Sequence, residues 1–257
     1  QTCPNDKDRY RTGNNGGMIT VDNSVTINGC RLYHGCSSEI LKTLPSESVD
    51  AVVTDPPFGI GFDYDGKKEE HNNPSGYWAW LEPIYQEWMR ILKPGGFMAV
   101  WNAQANFRYF WDWFGDDIHI YIGAKNFVQI RKVPINYGYE PVIMKYKIGA
   151  PPKSTINAER SIDYYVANTA AMVSDTKRIE RNHPCPRAID LTIEIVKNFT
   201  LDGGLILDPF MGSATTGIAC IKTGRSFIGI EKDKRYYELS CKRIGLEKSK
   251  QTLLEGW

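Results

Sequence analysis

Leu205-Ile-Leu-Asp-Pro-Phe-Met-Gly-Ser-Ala-Thr-Thr-Gly217 decides the fold. Apolar residues run into Asp208, a tight Gly/Ser/Thr turn follows, and a helical stretch over 216–222 comes next. A turn between strand and helix lets backbone N–H groups and the positive helix end face a small anionic or polar ligand. In an open α/β sheet that place is the carboxyl edge of the strands. Two nucleotide readings fail on the residues. Gly212 and Gly217 have the separation of a phosphate-binding P-loop, but Ile218 stands where a lysine must reach the phosphates, and no G-x-G-x-x-G is present. After the helix, Ser226-Phe-Ile-Gly-Ile-Glu231 reads as a second strand. An acid about twenty residues past the turn is placed to accept hydrogen bonds from a ribose diol. The pocket suits a nucleoside with an anionic tail.

Outward from this unit, short apolar segments alternate with helical patterns, the signature of a doubly wound, mostly parallel α/β sheet. The clearest strands are 49–54, 97–101, 205–208 and 227–230, with weaker ones at 31–33, 127–131 and 141–147. Between the first two, Tyr77, Trp80, Leu81, Ile84, Trp88, Ile91 and Leu92 recur at three- and four-residue steps. They predict a core-facing helix, kinked or begun near Pro83 and stopped by Pro94-Gly95-Gly96. The tryptophans of that helix, and the aromatic stretch 101–114, read as packing. Residues 1–17 lack apolar periodicity and read as a flexible arm, leaving 18–257 as one catalytic domain. The stretch 149–182 breaks the strand and helix rhythm and reads as a small insertion.

The second motif is Asp55-Pro56-Pro57-Phe58, at the end of the strand that finishes in Thr54 and therefore on the same sheet edge. Two consecutive prolines remove two amide donors and fix the turn, leaving carbonyls and one carboxylate pointing outward. This is an acceptor-only clamp. An aromatic amine is a weak nucleophile because its lone pair is conjugated with the ring. Accepting its two N–H bonds, one on Asp55 and one on the Pro56 carbonyl, favours a pyramidal nitrogen aimed at an electrophilic carbon. Phe58 offers a face on which a base can stack.

Bulk properties narrow the partners. With 31 basic and 30 acidic residues the net charge is +1, so contact with nucleic acid must be local. Six cysteines without a C-x-x-C pair and four scattered histidines argue against a metal site. No apolar run approaches the roughly 20 residues that span a bilayer, and a reduced, cytoplasmic setting is expected.

Together, Asp55-Pro-Pro-Phe58 and the later Asp208-Pro-Phe-Met-Gly-Ser-Ala-Thr-Thr216 resemble the β-group of DNA amino-methyltransferases, in which circular permutation puts the catalytic motif before the cofactor motif. The resemblance covers about 25–244. Leu92-Lys-Pro-Gly-Gly96 is similar to the family's turn after the catalytic segment, and 224–231 to its ribose-binding strand. His183-Pro-Cys-Pro-Arg187 is similar to the segment before the cofactor strand.

The resemblance implies a seven-stranded sheet with one antiparallel edge strand, S-adenosylmethionine as cofactor, and double-stranded DNA as partner. It further implies extrusion of the target base, frequent homodimers, and a prokaryotic or phage origin. Cofactor contacts fall on Cys36, Asp55, Arg187, Asp208, Phe210, Gly212, Ser213, Thr215, Glu231 and Lys232, with Arg187 facing the methionine carboxylate. Cys36 stands where the family usually has an acid, Cys185 where it commonly has threonine, and Ala214 where glycine is frequent.

Asp55 points to adenine, since the related cytosine-amine enzymes more often carry serine there. A ring-carbon cytosine methylase would need a Pro-Cys nucleophile at the catalytic strand, and Pro184-Cys185 lies elsewhere. Cytosine N4 methylation, a non-catalytic DNA-reading subunit, and methylation of RNA or a protein amide stay as alternatives. Lys177, Arg178 and Arg181, with Arg187, concentrate positive charge and are candidates for phosphate or base contacts. The polar loop 62–76 is expected to close over an extruded base.

Overall fold

The computed structural model describes residues 23–59, 63–64, 67–68, 74–126, 136, 138–147, 163–167 and 188–254. The strands in chain order are β1 (Ser24–Ile27), β2 (Cys30–His34), β3 (Val49–Thr54), β4 (Asp63–Tyr64), β5 (Lys67–Lys68), β6 (Leu92–Trp101), β7 (His119–Lys125), β8 (Tyr139–Tyr146), β9 (Tyr164–Ala167), β10 (Leu205–Asp208) and β11 (Ser226–Glu231). The helices are α1 (Ser37–Ile40), α2 (Pro74–Ile91), α3 (Phe107–Phe114), α4 (Ile189–Phe199), α5 (Thr215–Lys222) and α6 (Lys234–Leu254).

The molecule has the doubly wound α/β fold. Among the described residues the sheet runs β1-β2-β11-β10-β3-β6-β8-β7-β9. The five strands from β2 to β6 are mutually parallel. The sheet therefore has nine strands where seven are expected, because β1 and β9 extend its two edges. An antiparallel edge strand is present as β1, a hairpin partner of β2 across Asn28 and Gly29, both at positive φ. A second antiparallel strand, β8, lies inside the sheet between β6 and β7. β9 comes from the 149–182 stretch, so this part of the expected insertion joins the main sheet alongside β7.

Alternation along the strands sorts the core into two layers. Ala51, Val53, Phe97, Ala99 and Ile206 face one cluster, shared with Leu191 and Ile195 of α4, Ile218 of α5 and Ile244 of α6. Val52, Met98, Val100, Leu207 and Ile230 face the other, shared with α2 and α3. Strands buried on both faces read as continuous apolar runs, which is why β3 and β10 are the plainest in the sequence.

Helix α2 differs from expectation at its start. It begins at Pro74, where proline's missing N–H costs nothing, and it continues through Pro83 rather than beginning there. Burial of Tyr77, Leu81, Ile84, Trp88 and Ile91 holds it across the proline. β6 likewise begins at Leu92, before Pro94-Gly95-Gly96, because an irregularity in its pairing with β3 absorbs those residues: Val49 pairs with Leu92, and Ala51 with Phe97. The expected strand 127–131 and the arm 1–17 lie outside the described residues. Sequence patterning does not mark β1, β7 and β9 as strands: β1 and β9 are four-residue edge strands, and β7, though seven residues long and inside the sheet, buries only Tyr121 and Gly123.

Candidate active site

Chain order reverses between β3 and β10. From β3 the chain moves outward to β6, and from β10 it moves the opposite way to β11. At such a switch point two neighbouring loops leave the carboxyl ends in opposite directions and open a crevice between them. The two motifs leave these two strands. Their registers, Ile206 beside Ala51 and Leu207 beside Val52, bring the acid ending β10 level with the end of β3. The Thr54 hydroxyl donates to Asp208 Oδ1 at 2.8 Å, a direct bond between the strands carrying the two motifs.

Asp208 is buried, and protein donors engage both oxygens of its carboxylate. Besides Thr54, it accepts from the Thr216 hydroxyl at 2.7 Å and the Phe210 amide at 3.1 Å. It thus ties the end of β10, the turn, the first turn of α5 and β3 together. Burial raises its pKa to about 6, the hydrogen bonds oppose the shift, and the nearby Asp55 charge adds to it.

Glu231, at the end of β11, accepts from the Gly212 amide at 3.0 Å and the Asp233 amide at 2.7 Å. Its pKa is pushed up to about 7, chiefly by burial; Lys232, exposed beside it, pulls the other way. A carboxylate has about four acceptor sites, so two remain for a diol.

The turn 209–214 packs closely. Gly212 sits at φ +51° and Ala214 at φ +62°, the left-handed conformation where a methyl group is unfavourable. Ala214 N-caps α5, so the turn and the helix N-terminus are continuous. At Gly229 a Cβ would overlap the Met211 side chain and fall 2.6 Å from the Phe227 ring, so the turn and β11 pack closely there. Ser213 is buried, whereas Phe210, Gly212 and Thr215 are half-buried. The Phe210 ring lies 5.7 Å from Trp80 and 6.3 Å from Trp88, so α2 supports this turn from one side.

Cys36 joins the same edge. His34 pairs with Glu231 across β2 and β11, and the Gly35 amide donates to the Glu231 carbonyl at 2.9 Å. Cys36 is half-buried at the N-terminus of α1, with its Sγ 3.2 Å from Ser38 Oγ. In the clamp, Pro56 is buried and Asp55, Pro57 and Phe58 are half-buried. Gly59 follows at φ +66°, and a Cβ there would fall 2.5 Å from the Tyr77 ring.

The carboxyl edge thus gathers Cys36, Asp55 to Phe58, Asp208, the 210–215 turn, Glu231 and Lys232. Arg187, Lys177, Arg178 and Arg181 lie outside the described residues, as does most of the 62–76 loop. Of that loop, Asp63–Tyr64 and Lys67–Lys68 pair as an antiparallel hairpin. Several anchors escaped sequence reading. Thr54 holds Asp208, the Ser37 hydroxyl donates to the Pro209 carbonyl, and Arg243 donates to the Ser213 carbonyl. Thr54 and Ser37 adjoin residues already singled out; Arg243 lies thirty residues past the turn, on a helix that sequence spacing does not orient.

These groups fit S-adenosylmethionine: an acid with open acceptor sites for the ribose, an aromatic ring for adenine, and a turn leading into a helix N-terminus for a carboxylate. Among the described residues no cluster of three or more His, Cys, Asp or Glu could hold a metal ion, and no helix is long and apolar enough to cross a membrane.

Comparison with known proteins agrees with this geometry. The DNA adenine methyltransferase YhdJ of Escherichia coli K12 is 27% identical over 258 aligned positions, covering 83% of this chain and 82% of that protein. The M1.HpyAVI complex with S-adenosylmethionine superposes with TM-score 0.66 at 24% identity, over 84% of this chain and 98% of that one. The cytosine-N4-specific PvuII DNA methyltransferase does so equally, with TM-score 0.66 at 21% identity, over 86% and 92%. The profile of the DNA methylase family, which takes in N6 and N4 methyltransferases, matches residues 49–242. With both motifs on one crevice and that profile spanning most of its length, the chain belongs to the DNA methylase family, the amino-methyltransferases that use S-adenosylmethionine.

Proposed function

We propose that this protein methylates the N6 amine of adenine in double-stranded DNA, after the base has been extruded from the helix. The observation that carries the proposal is the shared crevice: Thr54 bonds Asp208, so the clamp and the cofactor turn leave neighbouring strand ends on one edge. A base amine buried in a duplex cannot reach such a crevice, so the target must leave the stack.

In this reading Glu231 holds the ribose diol, and Phe210, Gly212, Ser213 and Thr215 form the wall around the rest of the cofactor, with Asp208 fixing that wall from within. Cys36 and Lys232 border it, and Arg187 faces the methionine carboxylate. When bound, S-adenosylmethionine supplies a methyl group on a positively charged sulfur. Asp55 and the Pro56 carbonyl accept the two N–H bonds of the target amine, Pro57 stiffens the turn, and Phe58 stacks on the base. Positive charge develops on the amine as the new N–C bond forms, and Asp55 lies where it appears. Only after that bond has formed does a proton pass from the nitrogen to the Asp55 carboxylate, so Asp55 acts as an orienter first and a proton acceptor later, and needs no raised basicity. No covalent enzyme intermediate is required. Lys177, Arg178 and Arg181 are assigned to DNA phosphates or base edges, the 149–182 stretch to target recognition, and the 62–76 loop to a lid; a homodimer is part of the same reading.

Asp55 and the adenine specificity in the name of YhdJ favour adenine. Cytosine N4 is the second reading, supported by the equal superposition on the PvuII enzyme. The full chain is incubated with tritiated S-adenosylmethionine and unmodified bacterial DNA, which is then digested to nucleosides. Label in N6-methyl-2′-deoxyadenosine is expected, label in N4-methyl-2′-deoxycytidine selects the second reading, and no label in DNA overturns both.

A further inference from the structure

Behind the clamp lies a buried group of neutral side chains that the reading above leaves without a role. Asn102 and Asn106, at the carboxyl end of β6, are 2% and 7% exposed. Asn106 Nδ2 donates to the Phe58 carbonyl at 2.8 Å and to Asn102 Oδ1 at 2.7 Å. Asn102 Nδ2 donates in turn to the Tyr77 hydroxyl at 3.0 Å, and its Oδ1 also accepts from the Ala103 amide at 2.9 Å. Tyr77 closes the circuit, because its ring fills the space beside Gly59, the residue after Phe58.

Two features mark this as more than fold maintenance. Asn106 ends the short 3-10 turn 104–106 and runs into α3 with helical backbone angles, so its side chain is not committed to capping the helix amides. Its amide is turned to the clamp instead. The contacts also converge on the one peptide unit, Phe58 to Gly59, where the clamp leaves the crevice, and they reach it from α2 and from the segment after β6. A buried polar network satisfied in this way admits one arrangement of the backbone it holds.

We infer that Asn106, supported by Asn102 and Tyr77, is a positioning residue that fixes the Phe58 carbonyl and so sets the ring and the Asp55-Pro56 acceptors for the target base. The inference rests on the reading of the clamp given above. Asn106 touches neither base nor cofactor; it acts through the backbone of the clamp.

The test uses the full chain with Asn106→Asp, which keeps shape but replaces the amide donor, and the milder Tyr77→Phe, which removes only the hydroxyl. Single-turnover methyl transfer to unmodified bacterial DNA is measured with S-adenosylmethionine and DNA saturating. Calorimetric cofactor affinity, KM for DNA and thermal melting are measured beside it. Asn106→Asp is expected to lose about 100-fold in rate, the scale of a misplacement of about 1 Å, with cofactor affinity and KM unchanged. Tyr77→Phe is expected to lose less, in the same pattern. Once the target site is mapped from the modified DNA, 2-aminopurine at the target adenine should still brighten with both variants, because extrusion persists while alignment is lost.

A wild-type rate in Asn106→Asp overturns the inference and leaves the proposed function standing. A rate loss matched by equal losses in cofactor affinity and melting overturns it too, by assigning the group to folding. Where Asn106→Asp fails to fold, Tyr77→Phe decides on the same criteria. Wild-type protein that transfers no methyl to DNA overturns the proposed function and this inference together.

Discussion

The two turns of the crevice are built on opposite electrostatic plans. The cofactor turn, 208–216, is held by two carboxylates: buried Asp208 takes three donors and half-buried Glu231 two. The clamp, 55–59, is held by neutral amides and by a ring wedged beside Gly59. Burying charge costs free energy unless the charge is hydrogen-bonded, so the donors that meet these acids fix the cofactor turn, and a proton taken up by either acid changes what it can accept. At Phe58 and Gly59 the clamp rests on uncharged groups. Proton uptake should therefore disturb cofactor binding first, whereas displacement of the clamp should disturb chemistry first.

The contrast breaks most visibly at Asp55. On the proposed mechanism, Asp55→Asn removes the charge that would face the developing cation and should lower single-turnover methyl transfer by about 10²–10³-fold. Cofactor affinity by calorimetry should stay within a few-fold. Equal losses in both would show that Asp55 serves the cofactor rather than the base.

Gly59→Ala should act next, through position alone. The new methyl group cannot fit beside the Tyr77 ring, and the left-handed φ adds strain of about 1–2 kcal/mol. A rate loss of about 10²-fold with intact cofactor binding is expected.

Asp208→Ala should act on stability. It leaves Thr54, Thr216 and the Phe210 amide without their shared acceptor in a buried site, a cost of about 3 kcal/mol. For a chain of this size that lowers the melting temperature by about 10 °C, readable by calorimetry.

The pH dependence sharpens the contrast. Folding raises the pKa of Glu231 from 4.5 to about 7 and that of Asp208 from 3.8 to about 6. The native state then binds more protons than the unfolded chain in this range. The contribution of these acids to stability is full at low pH and is lost as pH rises from about 4 to about 7. Cofactor binding should run the other way, since a protonated Glu231 loses an acceptor for the ribose. Affinity should weaken as pH falls below about 7, and Glu231→Gln should bind weakly with that slope removed. A wild-type affinity flat between about pH 5.5 and 8 would separate Glu231 from the ribose.

The smallest effect is expected at Ala214. Ala214→Gly relieves the left-handed strain but loses a buried methyl group and adds unfolded-chain entropy, so stability should change by less than about 1 kcal/mol by denaturant titration.

The same contrast explains what was legible in the sequence. Strands β3 and β10 carry the apolar runs Ala51–Val53 and Leu205–Leu207, each leading to an acid, Asp55 just past β3 and Asp208 at the end of β10, and the turns after them are rich in proline or in glycine and small residues, so both motifs could be read directly. The helical stripe of α2 was equally plain, although burial of its aromatic side chains carried it through Pro83. The anchors of the turns were not legible, because Ser37, Thr54, Asn106 and Arg243 act across the fold and no local spacing announces them. Asn102 and Asn106 lay inside an aromatic stretch read as packing, and their meaning depends on β6 being the neighbour of β3. Strands β1 and β9 are largely exposed, so they lack the continuous apolar run that marks the equally short β10.

The most direct test of the shared crevice is a crystal structure of the full chain with S-adenosylhomocysteine, the product left after the methyl group has gone. The ribose should sit on Glu231, and the sulfur should lie between Gly212 and Asp55, with room for one amine between the sulfur and the carboxylate. A ligand seated with its sulfur turned away from Asp55, or bound at another edge of the sheet, would contradict the account.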